Sequence, residues 1–136
     1  MKQQRWLFIA SILTVVMLGC AQGFTAQSAQ QELKKLNPFT GNEVAIKEGR
    51  QLYLQSGCPG CHGSGGGGAM AGATSLLSDS WKFGGDDETY FNVIKGIYPG
   101  QTMPAVFGTI LTDEQIWKTI TWIRSIYKGD PDRIVW

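Results

Sequence analysis

The most regular stretch of the chain is its last thirty residues. There Ile116, Trp117, Ile120, Ile123, Ile126 and Tyr127 recur at three- and four-residue spacing among polar positions, the signature of a helix with one apolar stripe. Thr112 followed three residues later by Gln115 predicts a capping box at its start. Lys128 in the final turn, Gly129 as a left-handed cap and Pro131 beyond predict its end. A second helical pattern runs from Glu43 to about Ser56, with Ala45, Gly49, Leu52 and Tyr53 on one face and Thr40 or Asn42 as its cap. A shorter helix is predicted over Asp86–Lys95, with acids in its first turn and Gly96 past its end. Between these lie a glycine-rich loop over 57–73 and a stretch over 97–111 whose two prolines and two glycines predict extended loop. No segment alternates as a strand. The fold class is therefore all-α, a few helices joined by long loops, with too little apolar side chain for its length; something else should fill the centre.

The first residues follow another logic. Lys2 and Arg5 precede Trp6–Gly19, an uncharged apolar run of fourteen residues, short for a membrane span and right for a secretory leader. Residues 1–20 are thus expected to be a signal peptide, 21–36 a polar tether and 37–136 the folded domain. Cys20 behind Gly19 resembles a lipoprotein cleavage site, which would acylate Cys20. Ordinary cleavage after Ala21-Gln22-Gly23 or Ala26-Gln27-Ser28 is the alternative. Both place the protein in the periplasm, soluble or lipid-anchored.

Composition narrows the picture. Of 136 residues, 43% are hydrophobic and 17% charged, which excludes a disordered or coiled-coil chain. Eighteen glycines, well above the usual share of about 7%, demand extensive loop. Without Lys2 and Arg5, ten basic residues face the eleven acidic ones. Such a balance offers no electrostatic footprint for nucleic acid.

Three cysteines and one histidine sharply limit metal chemistry, yet two of the cysteines and the histidine form Cys58-Pro59-Gly60-Cys61-His62. Cys-x-x-Cys-His is the attachment signature of c-type haem. Cysteines three apart on a tight turn reach both vinyl groups, and the next histidine is held under the iron. A structural zinc site would need four ligands, two of them carboxylates here. A thioredoxin-like dithiol would need a βαβ setting, which the pattern lacks. One covalent haem c, on Cys58 and Cys61 with His62 as the proximal iron ligand, also explains the thin core.

With a single histidine, bis-histidine ligation within the chain is ruled out. Met1 and Met17 belong to the leader, leaving Met70 and Met103 as thioether candidates. Met70 stands eight residues from His62, within a tether of roughly 26 Å; its other reading is an apolar gap-filler. Met103 stands forty-one residues on, room enough for the chain to cross to the other haem face, and Pro104 fixes the backbone beside it. Met103 is the expected distal ligand. His/Met ligation closes both axial positions and raises the reduction potential, so one-electron transfer rather than catalysis is expected. The competing class is a haem enzyme or gas sensor with an open distal site.

Over residues 42–128 this pattern resembles the class I cytochromes c: a helix leading into Cys-x-x-Cys-His, a distal Met-Pro, and a closing aromatic helix. The resemblance implies that Gly49 and Tyr53 pack against an aromatic of the last helix, with Trp117, Trp122 and Tyr127 as candidates. Two features depart from the family. The spacing from Gly49 to Cys58 is one residue longer than its commonest form. The proline whose carbonyl usually orients the proximal histidine is missing from 70–77, which leaves the carbonyl for His62 to be found in that stretch.

Asn37-Pro38-Phe39-Thr40-Gly41, the glycines at 65–68 and Trp81-Lys82-Phe83-Gly84-Gly85-Asp86-Asp87-Glu88-Thr89 suggest a narrower resemblance. They are similar to segments of mono-haem cytochromes that accept electrons from PQQ-dependent methanol or other alcohol dehydrogenases. It implies a monomer that takes electrons from such a periplasmic dehydrogenase and passes them to a terminal oxidase or another cytochrome. Asp86–Glu88 have a simpler reading as acids at a helix N-terminus, and Trp81 as packing at the haem edge.

Overall fold

The computed structural model describes residues 36–134. The leader features Lys2, Arg5 and Trp6–Gly19, the cleavage alternatives at Cys20 and beyond, and the tether up to residue 35 lie outside the described residues. The elements are α1 (Glu43–Gln55), α2 (Pro59–His62), α3 (Asp87–Lys95), α4 (Phe107–Ile110), α5 (Asp113–Ile126) and a final 3-10 turn, Pro131–Arg133. No strand occurs among the described residues, and the all-α class holds.

Helix α1 begins where the Asn42 side chain accepts the N–H groups of Val44 and Ala45, each at 3.0 Å, satisfying two of the donors that a helix start leaves open. Thr40, the other candidate cap, instead donates its hydroxyl to the Asn37 carbonyl at 3.0 Å. The buried face of α1 is Ala45, Gly49 and Tyr53, and it lies against α5. At the crossing, a β-carbon on Gly49 would stand 1.9 Å from the Lys118 carbonyl oxygen and 3.1 Å from Trp122 Cβ; only glycine permits this approach. One turn on, Tyr53 meets Trp122 with ring centroids 4.3 Å apart. Of the three aromatics offered by the sequence, Trp122 is the partner. Trp117 stacks on Phe91 of α3 at 4.4 Å, and Tyr127 on Trp81 at 5.9 Å.

Helix α5 carries the capping box as expected: Gln115 N–H donates to Thr112 Oγ1, and Thr112 N–H to Gln115 Oε1. Its burial exceeds a single stripe, since Thr119, Thr121 and Trp122 are buried along with Ile116, Trp117, Ile120 and Ile123. The two threonines tolerate this because their hydroxyls donate to the Gln115 and Trp117 carbonyls one turn back. Each fully buried isoleucine contributes on the order of 1.5–3 kcal/mol, so α5 is the chief apolar contributor. The start of the domain is fastened to it. Buried Asn37 donates to the Trp117 carbonyl at 3.3 Å and to Thr121 Oγ1 at 3.0 Å.

Two expectations need correction. Helix α5 stops at Ile126, and Tyr127 is already extended. Gly129 is not a left-handed cap. Tertiary contacts end the helix instead: Lys128 N–H donates to the Leu77 carbonyl, and the Tyr127 hydroxyl donates to Asp79. Arg133 grips the other oxygen of that carboxylate. A β-carbon at 129 would push on the ends of the Asp79 and Tyr127 side chains, so glycine lets that pair close without shifting. The second correction is in 97–111, expected as extended loop. It contains α4, a helical turn closed by Thr109, Ile110 and Leu111 N–H groups onto Val106 and Phe107 carbonyls. It is tertiary in origin, with Gly108 seated against the Lys95 carbonyl at the end of α3.

Candidate functional site

The cysteine motif folds as one helical turn. Cys61 and His62 N–H groups both donate to the Cys58 carbonyl, at 3.2 and 3.0 Å, and Gly63 N–H donates to that of Pro59. Residues i, i+3 and i+4 of such a turn share a face, so both thiols and the imidazole are presented together. The glycine-rich loop then doubles back over the turn. Gly68 N–H donates to the His62 carbonyl, and Ala69 and Met70 N–H groups donate to that of Cys61, satisfying acceptors that a helix end leaves open. The Tyr53 hydroxyl reaches in from α1 to the Gly63 carbonyl at 2.5 Å. Burial pushes that hydroxyl up to about 12, keeping it a donor. Burial likewise raises the Cys58 thiol above its ordinary value.

His62 Nδ1 lies 2.9 Å from the Thr74 carbonyl oxygen. A carbonyl can only accept, so Nδ1 carries a proton, and in the neutral ring the lone pair is left on Nε2. The stretch that lacks the expected proline therefore still supplies an orienting carbonyl, from Thr74.

Cys58, Cys61 and His62 open onto a cavity of about 520 Å³, within the range of roughly 300–1,000 Å³ typical of cofactor sites. Its walls are largely apolar, with Leu76, Val93, Ile94, Leu111 and Ile123 contributed from the glycine-loop side, α3, the loop before α5, and α5. Trp81 also lines it, its buried indole N–H beside the Tyr90 hydroxyl. An apolar slot that presents two thiols and an imidazole from one helical turn fits a porphyrin with vinyl groups to attach and an iron to ligate. It does not fit a four-ligand zinc site, because among the described residues no carboxylate lines it beside Cys58, Cys61 and His62.

Both candidate methionines line this cavity, in different settings. Met103 is partly buried and packs against the core of Phe91, Ile94, Leu111, Ile116, Trp117 and Ile120. Met70 is 57% exposed, and its sulfur lies 3.9 Å from the Cys61 sulfur, beside the attachment turn. The Met103 loop is tied down by Gln101, whose amide touches Val93, Tyr98 and Met103 itself. No periodicity or spacing marks Gln101. Asp87 was legible only as an acid at a helix start. Instead it is 5% exposed and receives the Arg124 Nε–H at 2.6 Å, while Arg124 Nη2 donates to the Gly85 carbonyl and the guanidinium covers the Tyr90 ring at 4.4 Å. Asp86 is the residue that caps α3, accepting from Thr89 N–H. The Asp87–Arg124 pair locks α3 to α5 beside two cavity-lining residues, Trp81 and Tyr90.

Residues 44–123 match the family model described as cytochrome c oxidase, cbb3-type, subunit III. No curated protein matches the chain. Among solved structures the chain is similar to cytochrome CL from the marine methylotrophic bacterium Methylophaga aminisulfidivorans MPT. The two share 26% identity with a TM-score of 0.57, over 71% of this chain and 62% of that one. The likeness thus spans less than two thirds of the length of that protein.

Proposed function

The chain belongs to the cbb3-type cytochrome c oxidase subunit III family, as an all-helical class I cytochrome c with covalent haem c, and from this membership we propose that it is a periplasmic one-electron carrier. Cys58 and Cys61 would hold the haem as thioethers, and His62 and Met103 would supply its iron with a nitrogen and a sulfur ligand. The observation that carries this reading is that all four side chains line a single apolar cavity. Haem bound there supplies the Fe(III)/Fe(II) couple. The protein's own residues do the rest. Thr74 holds the His62 ring by its Nδ1–H, which favours an iron-facing Nε2 lone pair and raises ligand basicity. The apolar walls exclude water, and a thioether ligand from Met103 would raise the potential and leave no open position for oxygen. A domain spanning 37–136, preceded by a removable leader and a tether over 21–36, is consistent with export, with Cys20 acylated or removed.

The donor we propose is a PQQ-dependent methanol or alcohol dehydrogenase, supported by the segments at 37–41 and 81–89 and by the likeness to cytochrome CL. A reduced quinone cofactor gives up two electrons, so two molecules of this one-electron carrier are consumed per alcohol oxidised. A terminal oxidase or another cytochrome takes the electrons onward. The near-neutral charge balance offers weak global steering, so ionic strength should slow reduction only modestly. The test is to mix purified ferric protein with such a dehydrogenase and its alcohol. Reduction within catalytic time, dependent on alcohol, is expected. A protein that stays ferric while a generic dye is reduced removes the donor. Rapid carbon monoxide binding by the ferrous form would favour the open-site reading of a gas sensor or haem enzyme.

A further inference from the structure

We propose that Gln101 is a positioning residue that holds the Met103 loop closed over the cavity; the proposal rests on Met103 being the distal ligand. The carboxamide of Gln101 has two N–H donors and one oxygen, and all are engaged at three separate points of the chain. Nε2 donates to the Val93 carbonyl at 3.0 Å and to the Met103 carbonyl at 2.8 Å, while Oε1 accepts the Tyr98 N–H at 3.0 Å. Val93 belongs to the last turn of α3, where carbonyls lack helical partners. One side chain therefore ties the end of a helix, the start of a turn and the backbone of the methionine together.

The surrounding geometry makes this tie the main polar restraint on the loop. Gly96 ends α3 in the left-handed region at φ +85°, with Ile97 N–H on the Asn92 carbonyl and Gly96 N–H on that of Val93, the double closure of a Schellman end. The chain then turns through Tyr98–Gln101, closed by a 3.3 Å bond from Gln101 N–H to the Tyr98 carbonyl. Pro104 has no N–H to fasten the far side of Met103. A β-carbon on Gly96 would collide with the Ala105 backbone, so the chain beyond Pro104 passes close to the end of α3. Removing the carboxamide leaves Met103 held by packing and whatever bond it makes to iron.

The test compares holoprotein carrying Gln101→Leu or Gln101→Asn with wild type and with Asn37→Ala, whose bonds join the domain start to α5. Leucine keeps bulk without polar groups; asparagine keeps the amide but shortens its reach. Two readouts are taken on the ferric form: affinity for added imidazole, which competes with the distal ligand, and the temperature at which the red iron–sulfur charge-transfer band is lost relative to helix unfolding. Loss of these three hydrogen bonds should raise imidazole affinity by about tenfold or more. The band should vanish well before the helices melt. Asn37→Ala should lower both temperatures together and leave imidazole affinity alone. Imidazole affinity within twofold of wild type in both Gln101 variants overturns the proposal while the ligand assignment stands. A band that survives Met103→Ala overturns the ligand assignment and the proposal with it.

Discussion

The Gly49 α-carbon faces the Lys118 carbonyl so closely that a single methyl would stand 1.9 Å from its oxygen. The obstacle is helix backbone, which has no rotamer to change. Gly49→Ala must therefore separate α1 from α5, loosening the Tyr53–Trp122 contact one turn away. Overpacking of this kind costs about 1–3 kcal/mol, and the rigid obstacle puts it at the upper end. Denaturant midpoints of the holoprotein check this, and a loss below about 0.5 kcal/mol would mean that the two helices slide apart freely.

Asp87 and Arg124 should prove interdependent. Their side chains are 5% and 8% exposed and 2.6 Å apart, and removing one partner leaves a buried charge, at a cost of about 3–5 kcal/mol. Asp87→Ala and Arg124→Leu are each expected to destabilise by about that amount. The double variant Asp87→Ala with Arg124→Leu should lose distinctly less than the sum. Additive losses in a double-mutant cycle would contradict a coupled pair.

Tyr53 predicts an alkaline limit. Burial raises its hydroxyl from 10.0 to about 12, so between those values the unfolded chain ionises first and holds fewer protons than the folded one. Stability from this group is complete below pH 10 and is lost as pH rises toward about 12. Tyr53→Phe should lower stability near neutrality by about 1 kcal/mol, through loss of the bond to Gly63. It should also flatten the alkaline decline. Tyr90, raised by its own burial, keeps some of that slope. Urea titrations across the alkaline range decide, and an unchanged slope would show that Tyr53 does not contribute.

Covalent attachment and distal ligation separate cleanly by residue. Replacing Cys58 and Cys61 with alanine should abolish haem-linked peroxidase stain on denaturing gels and leave little folded protein, since the cavity of about 520 Å³ would lose its filling. Met103→Ala should abolish the red charge-transfer band and admit carbon monoxide, whereas Met70→Ala should keep the band. The reverse outcome would move the ligand to Met70, beside Cys61.

The mature terminus tests the leader. Mass spectrometry should find either diacylglyceryl-Cys20 or a start at or beyond Phe24. An uncleaved chain with unmodified Cys20 would contradict both.

What the sequence made legible was whatever depends on local pattern. The starts of α1, α3 and α5, the glycine and tyrosine of the helix crossing and the haem-attachment turn all have short-range signatures. What it hid depends on distant partners. The end of α5 is set by Leu77 and Asp79, residues about fifty positions away, so a cap rule applied at Gly129 misplaced it. Asp87 looks like a solvent-facing acid until Arg124 is packed beside it. Thr74 acts through its backbone carbonyl, which no side-chain pattern can advertise, and Gln101 through three contacts that exist only once its loop is folded.

Helix α5 has two functional sides. Thr119 and Ile123 form part of the cavity wall, while Trp117 and Thr121, each two positions earlier and so about 200° around the helix, carry Asn37. The domain is thus held at its amino end on the reverse of the wall that confines the cofactor. A pull applied through the chain before Asn37 would first meet hydrogen bonds to the back of a rigid rod rather than the slot in front of it.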